Sequence, residues 1–269
     1  VLINTDGSIS ELLVKLLACD SFTVPERGAL KETISFLQTK WRHKGPPRML
    51  HGGPLPSKIE FNLLEQLHVL DTIRPAAKPE FGYDGVLFLG AHLVVARRRL
   101  EALCSAFACG YEFSKVYLLG STRPLFNNES ENKRLMLTQG GVRFKKQWRR
   151  TRAFPTTEIE MLEFVFEQSD IPASWEIVSV CPDTRANRPA TTEDTLRAWR
   201  DRYGSPGDYL IASSQSAIWY QYLVAHRTLG DSYNLFLCGS PASPTDSIAR
   251  HRDNIAKLFY EECRLAGIS

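Results

Sequence analysis

The chain has 269 residues, 43% of them hydrophobic, and a formal net charge of +3. That length and apolar content suit one large α/β domain or such a domain with a helical extension, and exclude a disordered chain. The near-balanced charge excludes a wholesale polyelectrolyte, and every uninterrupted apolar run is strand-sized, so no segment reads as a membrane span.

Residues 8–79 read as helical. Ser10–Asp20 and Pro25–Trp41 carry apolar residues at three- and four-residue spacing, with Pro25 suited to a first helical turn. Ser57 and Glu60 form a capping box ahead of Ile59, Leu63, Leu64 and Leu67. Between these helices Lys44–Pro56 is Pro/Gly-rich and reads as loop. Its His51-Gly52-Gly53 triplet lacks the preceding strand and following G-x-S-x-G elbow of an esterase oxyanion loop, so it reads as a turn. A second Pro-rich stretch, Arg74–Gly82, leads into the rest.

From Gly85 the pattern alternates. Strands are expected at Gly85–Gly90, Lys115–Gly120, Trp175–Cys181, Asp208–Ser213 and Tyr233–Gly239, each followed by helical periodicity. Thr157 with Glu160 caps the second of these helices, Thr191 or Thr192 the third, and the last runs from about Thr245 to Ala266. The predicted fold is therefore a three-layer α/β/α Rossmann-like sandwich with a mostly parallel sheet, residues 80–269, preceded by an N-terminal helical region, residues 1–79, packing on its core.

In such a sheet, ligands bind at the carboxyl ends of the strands. Gly90 and Gly120 end successive strands and allow close backbone approach, while Ala91, His92, Ser121 and Arg123 follow at the same edge, where helix-start amides can hold an anion. Turn formation alone also explains the glycines. Glu158 opens the second helix, and Glu193 with Asp194 the third; they serve the helix dipole or, if they converge, hold a ribose, an amine or a divalent cation. Ser213, Ser214 and Gln215 either line the far wall or cap a helix. Two function classes follow: a binder of a small polar, nucleotide-like ligand, and a transferase or hydrolase on an activated phosphorylated or methyl-donating substrate, with Glu158 or Glu193 as catalytic general base or metal ligand.

The connection from Ser121 to Pro155 exceeds an ordinary βα loop. Within it Arg143, Lys145, Lys146, Arg149, Arg150 and Arg152 surround Trp148 without one acidic residue. This run reads as a solvated loop, as a cationic lid over the carboxyl edge, or as a third function class: docking on an anionic partner, with the indole as a stacking surface. The six cysteines show no C-x-x-C pair and no zinc-ligand spacing, which points to free thiols, mostly buried, and to a cytoplasmic setting, with an export or anchoring segment before Val1 left open. P-loop, dinucleotide and zincin signatures are absent from the sequence.

Taken in order, YDGVLFLGAH, VYLLGST, TTEIEML, the Ala190–Asp194 stretch and YLIASSQS resemble the bacterial family typified by SanA, ElyC and YdcF, most of all its YdcF branch, over Tyr83–Gly230. Three positions differ from that pattern. Ser121 follows the single Gly120, Asp194 stands where Asn is usual, and Ala217 and Tyr220 fall where many relatives carry His and Arg. The resemblance implies a Rossmann-like fold, binding of S-adenosylmethionine or a similar nucleotide-like ligand, and a link to envelope physiology.

Overall fold

The structure is a computed structural model and describes residues 2–25, 29–43, 53–125, 135–136, 142–150, 153–183, 188 and 190–268. The chain forms two compact units: 1–72 with 215–223 and 241–269, and 73–214 with 224–240.

The first unit is helical. Its helices are α1 (Glu11–Ala18), α2 (Leu30–Phe36), which runs into a π-helical turn over Leu37–Trp41, and α3 (Lys58–Gln66). Ser10 caps α1, and Ser57 and Glu60 close the expected box on α3. The helix predicted from Pro25 begins instead at Leu30. Proline fits a first turn without dictating one, and no side chain caps the start at Ala29. The apolar stripes of these helices, Leu13, Leu16, Leu17, Leu37 and Leu64, bury against Ile255 and Phe259. The latter two belong to the last helix, Ile248–Leu265, labelled α8 below.

The second unit holds a five-stranded, all-parallel sheet in the order β3-β2-β1-β4-β5. Its strands are β1 (Gly85–Leu89), β2 (Lys115–Leu119), β3 (Glu176–Val180), β4 (Gly207–Ser214) and β5 (Tyr233–Ser240). Between them along the chain lie α4 (Leu93–Ala108), α5 (Glu158–Gln168), α6 (Thr192–Tyr203) and α7 (Ile218–Leu229), whose residues up to Leu223 count with the first unit, so strands and helices alternate in a three-layer Rossmann-like fold. The strands match the apolar runs because a central parallel strand is buried on both faces: all five residues of β1 are buried.

Alternation along the strands splits the core. Val86, Phe88, Val116, Leu118, Leu210 and Ala212 face Ala96, Leu100 and Leu103 of α4 and Leu162 and Val165 of α5. On the other face Tyr117 and Tyr209 pack edge-on against Trp199 of α6, at centroid distances of 5.6 and 4.9 Å. After β3 the chain crosses back over β1 and β2 to add β4 on the other side of β1. The topological switch point, where open α/β sheets form their crevice, therefore lies between the carboxyl ends of β1 and β4.

Among the described residues no helix is long and apolar enough to cross a membrane. All six cysteines are free thiols. Burial is less general than the sequence suggests: Cys238 and Cys263 are buried, Cys104 and Cys181 intermediate, Cys19 and Cys109 exposed.

Candidate functional site at the carboxyl edge

Gly90, one residue past β1, is the node of the site. A β-carbon there would stand 2.9 Å from the Leu119 carbonyl oxygen and 3.1 Å from the carboxyl carbon of Glu158, so only glycine lets that carboxylate approach the backbone. Gly120 plays the matching part for the helix. A β-carbon on it would meet Ile159 at 2.9 Å, so glycine lets α5 seat directly on the end of β2.

The segment after β2 lies antiparallel to the start of α5. Ile159 N–H donates to the Ser121 carbonyl (3.1 Å), Glu158 N–H to the Arg123 carbonyl (3.0 Å) and Leu125 N–H to the Thr156 carbonyl (2.8 Å). Glu160 N–H donates to the Thr157 hydroxyl at 3.4 Å, completing the expected capping box. These first-turn amides are spent within the protein, so the anion cradle expected from the helix start does not form at α5.

The same ladder joins three side chains. Ser121 Oγ donates to Glu158 Oε2 at 2.6 Å, and Arg123 Nη2 donates to Glu158 Oε1 at 3.1 Å. Glu158 keeps 13% of its side chain exposed, which leaves the cluster reachable at its rim. Cys181, just past β3, stands beside it. Burial pushes its thiol above the usual range, the Thr122 backbone N–H pulls the other way, and the Glu158 charge adds to the rise.

The other wall is organised by Arg99, a residue that the sequence pattern hides within an Arg97-Arg98-Arg99 run. It is only 3% exposed. From α4 its Nη1 donates to the Leu89 carbonyl (2.7 Å) and the Gly90 carbonyl (2.9 Å), while Nε and Nη2 donate to Ser214 Oγ at 3.3 and 3.1 Å. One guanidinium thus spans the switch point from β1 to β4. Ser214 pairs in register with Ser240 at the end of β5, whose buried hydroxyl has no hydrogen-bond partner among the described residues. Ser213 is fully buried in β4, Ala91 packs on the core beside Gly90, and His92 occupies the position before α4.

The remaining predicted residues have other partners. Thr191 and Asp194 form the capping box of α6, and Arg188 grips the Asp194 carboxylate at 2.6 and 2.9 Å, which holds that carboxyl well below its ordinary range. Glu193 accepts from Arg197 (2.6 Å) and from Arg227 (2.8 Å) in the last turn of α7, the helix leading into the amino end of β5. Hydrogen bonding to Arg227 first, and to Arg197, keeps its carboxyl down at about 2, a poor value for a base acting at neutral pH. Gln215 belongs to the first unit, where its Nε2 donates to the His68 carbonyl at 3.0 Å. Among the described residues no three His, Cys, Asp or Glu side chains gather as a metal site, so the carboxylates do not build the divalent-cation pocket that their convergence would have given.

The basic run does not cover this edge within the described residues. Its backbone pairs with Gln168–Asp170 at the far end of α5, about 15 Å from Glu158 at 1.5 Å per helical residue. Trp148 is not a free stacking surface: it packs on Phe164 at 5.5 Å and Phe144 at 5.7 Å. Arg152, His51 and Gly52 lie outside the described residues. In the first unit an open groove of about 530 Å³ is lined by Phe22, Lys31, Glu32, Phe36 and Lys40, and none of the predicted site residues borders it.

Comparison with protein-family models and with curated protein sequences gives no match.

Proposed function

We propose that the second unit binds a small polar, nucleotide-like ligand at the carboxyl edge of its sheet, at the switch point between β1 and β4. One observation carries the reading. Gly90 stands at that switch point with its carbonyl held by Arg99 and its bare α-carbon against the Glu158 carboxylate, so a fixed cation and a fixed anion flank backbone that lacks a side chain. Such preorganised polar groups beside bare backbone suit a ligand that brings both donors and acceptors. Ser121 and Arg123 orient Glu158, while the Ser214 and Ser240 hydroxyls offer further polar contacts. S-adenosylmethionine as the specific ligand, and a link to envelope physiology, rest on the resemblance to the SanA, ElyC and YdcF family alone.

In this reading Glu158 orients a ribose or amine group, and Glu193, Thr191 and Asp194 stabilise α6. A thermal-shift screen of S-adenosylmethionine, adenosine compounds and sugar nucleotides tests it. Stabilisation by one such class, with the ligand concentration needed rising at least tenfold in Glu158→Gln, is the expected result. No stabilisation by any of them, or an unchanged response in the variant, contradicts it.

A further inference from the structure

Among the described residues of the second unit, Arg123, Arg188, Arg197 and Arg227 are tied to carboxylates. Arg143, Lys145, Lys146 and Arg149 are exposed and make no ion pair among the described residues. These four cations fall within residues 143–149 of a chain whose net charge is only +3.

That segment is held in one presentation. Phe144 bridges antiparallel to Ser169, Lys145 N–H donates to the Gln168 carbonyl (2.9 Å), and Asp170 N–H donates to the Arg143 carbonyl (2.8 Å). The Phe144 ring lies under the Arg97 guanidinium, 5.6 Å away, and the Trp148 ring is packed on Phe164. The aromatic residues are the anchors and the cations between them point outward. Arg97 also donates to the Leu135 carbonyl at 2.9 Å, and the adjoining Met136 is 44% exposed.

We propose that residues 142–150, together with Met136, form a ledge that docks on an anionic lipid bilayer. Three features favour lipid over nucleic acid. The aromatic rings face inward, so no base-stacking platform is offered. Four cations reach the low end of the roughly 4 to 8 Lys or Arg that mark anionic-lipid recognition, and each one near an anionic bilayer strengthens attachment by about fivefold. An exposed methionine gains at a headgroup boundary and gains nothing on a phosphate backbone.

The test is sedimentation of the full chain with vesicles of phosphatidylcholine alone and of phosphatidylcholine with phosphatidylglycerol, alongside titration with a short duplex DNA. The wild-type chain is expected to bind the phosphatidylglycerol vesicles only, and to lose them as salt rises. Lys145→Gln/Lys146→Gln should weaken binding by about 25-fold, while Lys31→Gln/Lys58→Gln, an equal charge change at exposed sites in the first unit, leaves it unchanged. Met136→Gln should weaken vesicle binding by a few fold. Thermal unfolding of all variants at the wild-type midpoint confirms that the ledge is intact. Equal binding to neutral vesicles, equal losses in the two lysine pairs, or DNA bound more tightly than vesicles overturns the proposal.

Discussion

The carboxyl carbon of Glu158 lies 3.1 Å from the point where a β-carbon on Gly90 would stand, with the Leu119 carbonyl oxygen 2.9 Å away from that point. One strand end, one loop and one helix start therefore meet where a side chain on residue 90 has no room. Gly90→Ala is expected to force Glu158 or β2 aside and to cost about 1–3 kcal/mol, as overpacking of a tight site does, with ligand stabilisation lost at the same time. Urea unfolding checks the first part. Wild-type stability in this variant would show that Glu158 is not held where the geometry places it.

Arg99 should be the residue of this edge least tolerant of change. Arg99→Met leaves the Leu89 and Gly90 carbonyls and the Ser214 hydroxyl without their donor in a buried place, at a cost of about 2–4 kcal/mol. Urea denaturation reads this as a lower midpoint at unchanged slope. A loss under about 0.5 kcal/mol, the scale of an ordinary surface substitution, would mean that Arg99 does not brace β1 to β4.

Acid should destabilise the chain in two stages. His251 of α8 is buried, and desolvation lowers its pKa to about 4, Arg250 adding to that effect and Asp246 opposing it. The unfolded chain therefore takes up a proton at His251 that the folded chain refuses, so stability is full above about pH 6.5 and falls as pH drops toward 4. Glu193, held near 2 by Arg227 and Arg197, adds a second loss as pH falls from about 4.5 toward 2. Chemical unfolding at stepped pH should show both stages, and His251→Gln should flatten the first. A first stage that survives this substitution would assign it to another group.

Thiol reactivity should divide the cysteines by exposure. Cys19 and Cys109 are exposed, whereas burial pushes Cys238 up to about 12 and Cys263 up to about 11. A thiol-specific chromogenic disulfide should label two groups quickly in the folded chain and the rest on unfolding. Fast labelling of Cys238 would contradict its place between β5 and α4.

The sheet was readable because its central strands β1, β2 and β4 are largely apolar on both faces, and Thr157/Glu160 capped its helix as the spacing required, whereas of the two threonines offered for the next helix it is Thr191 that caps, with Asp194. Arg99 was not readable as a cation in a basic triplet, although its spacing from Ala96 and Leu103 places it on the buried stripe of α4, a signal that pattern alone contained. The Glu193–Arg227 pair spans 34 residues and two helices, beyond any local rule. Trp148 misled because a ring in a basic run suggests stacking, yet Phe144 four residues earlier was the sign of an inward pair.

The central claim is the place of the ligand, and hydrogen exchange read by mass spectrometry tests it most directly. With the compound that raises the unfolding midpoint most, the backbone around Gly90–His92, Gly120–Arg123 and Ser213–Ser214 should gain protection while α1 and α3 do not. Protection confined to other segments, or none at a saturating concentration, would contradict the account.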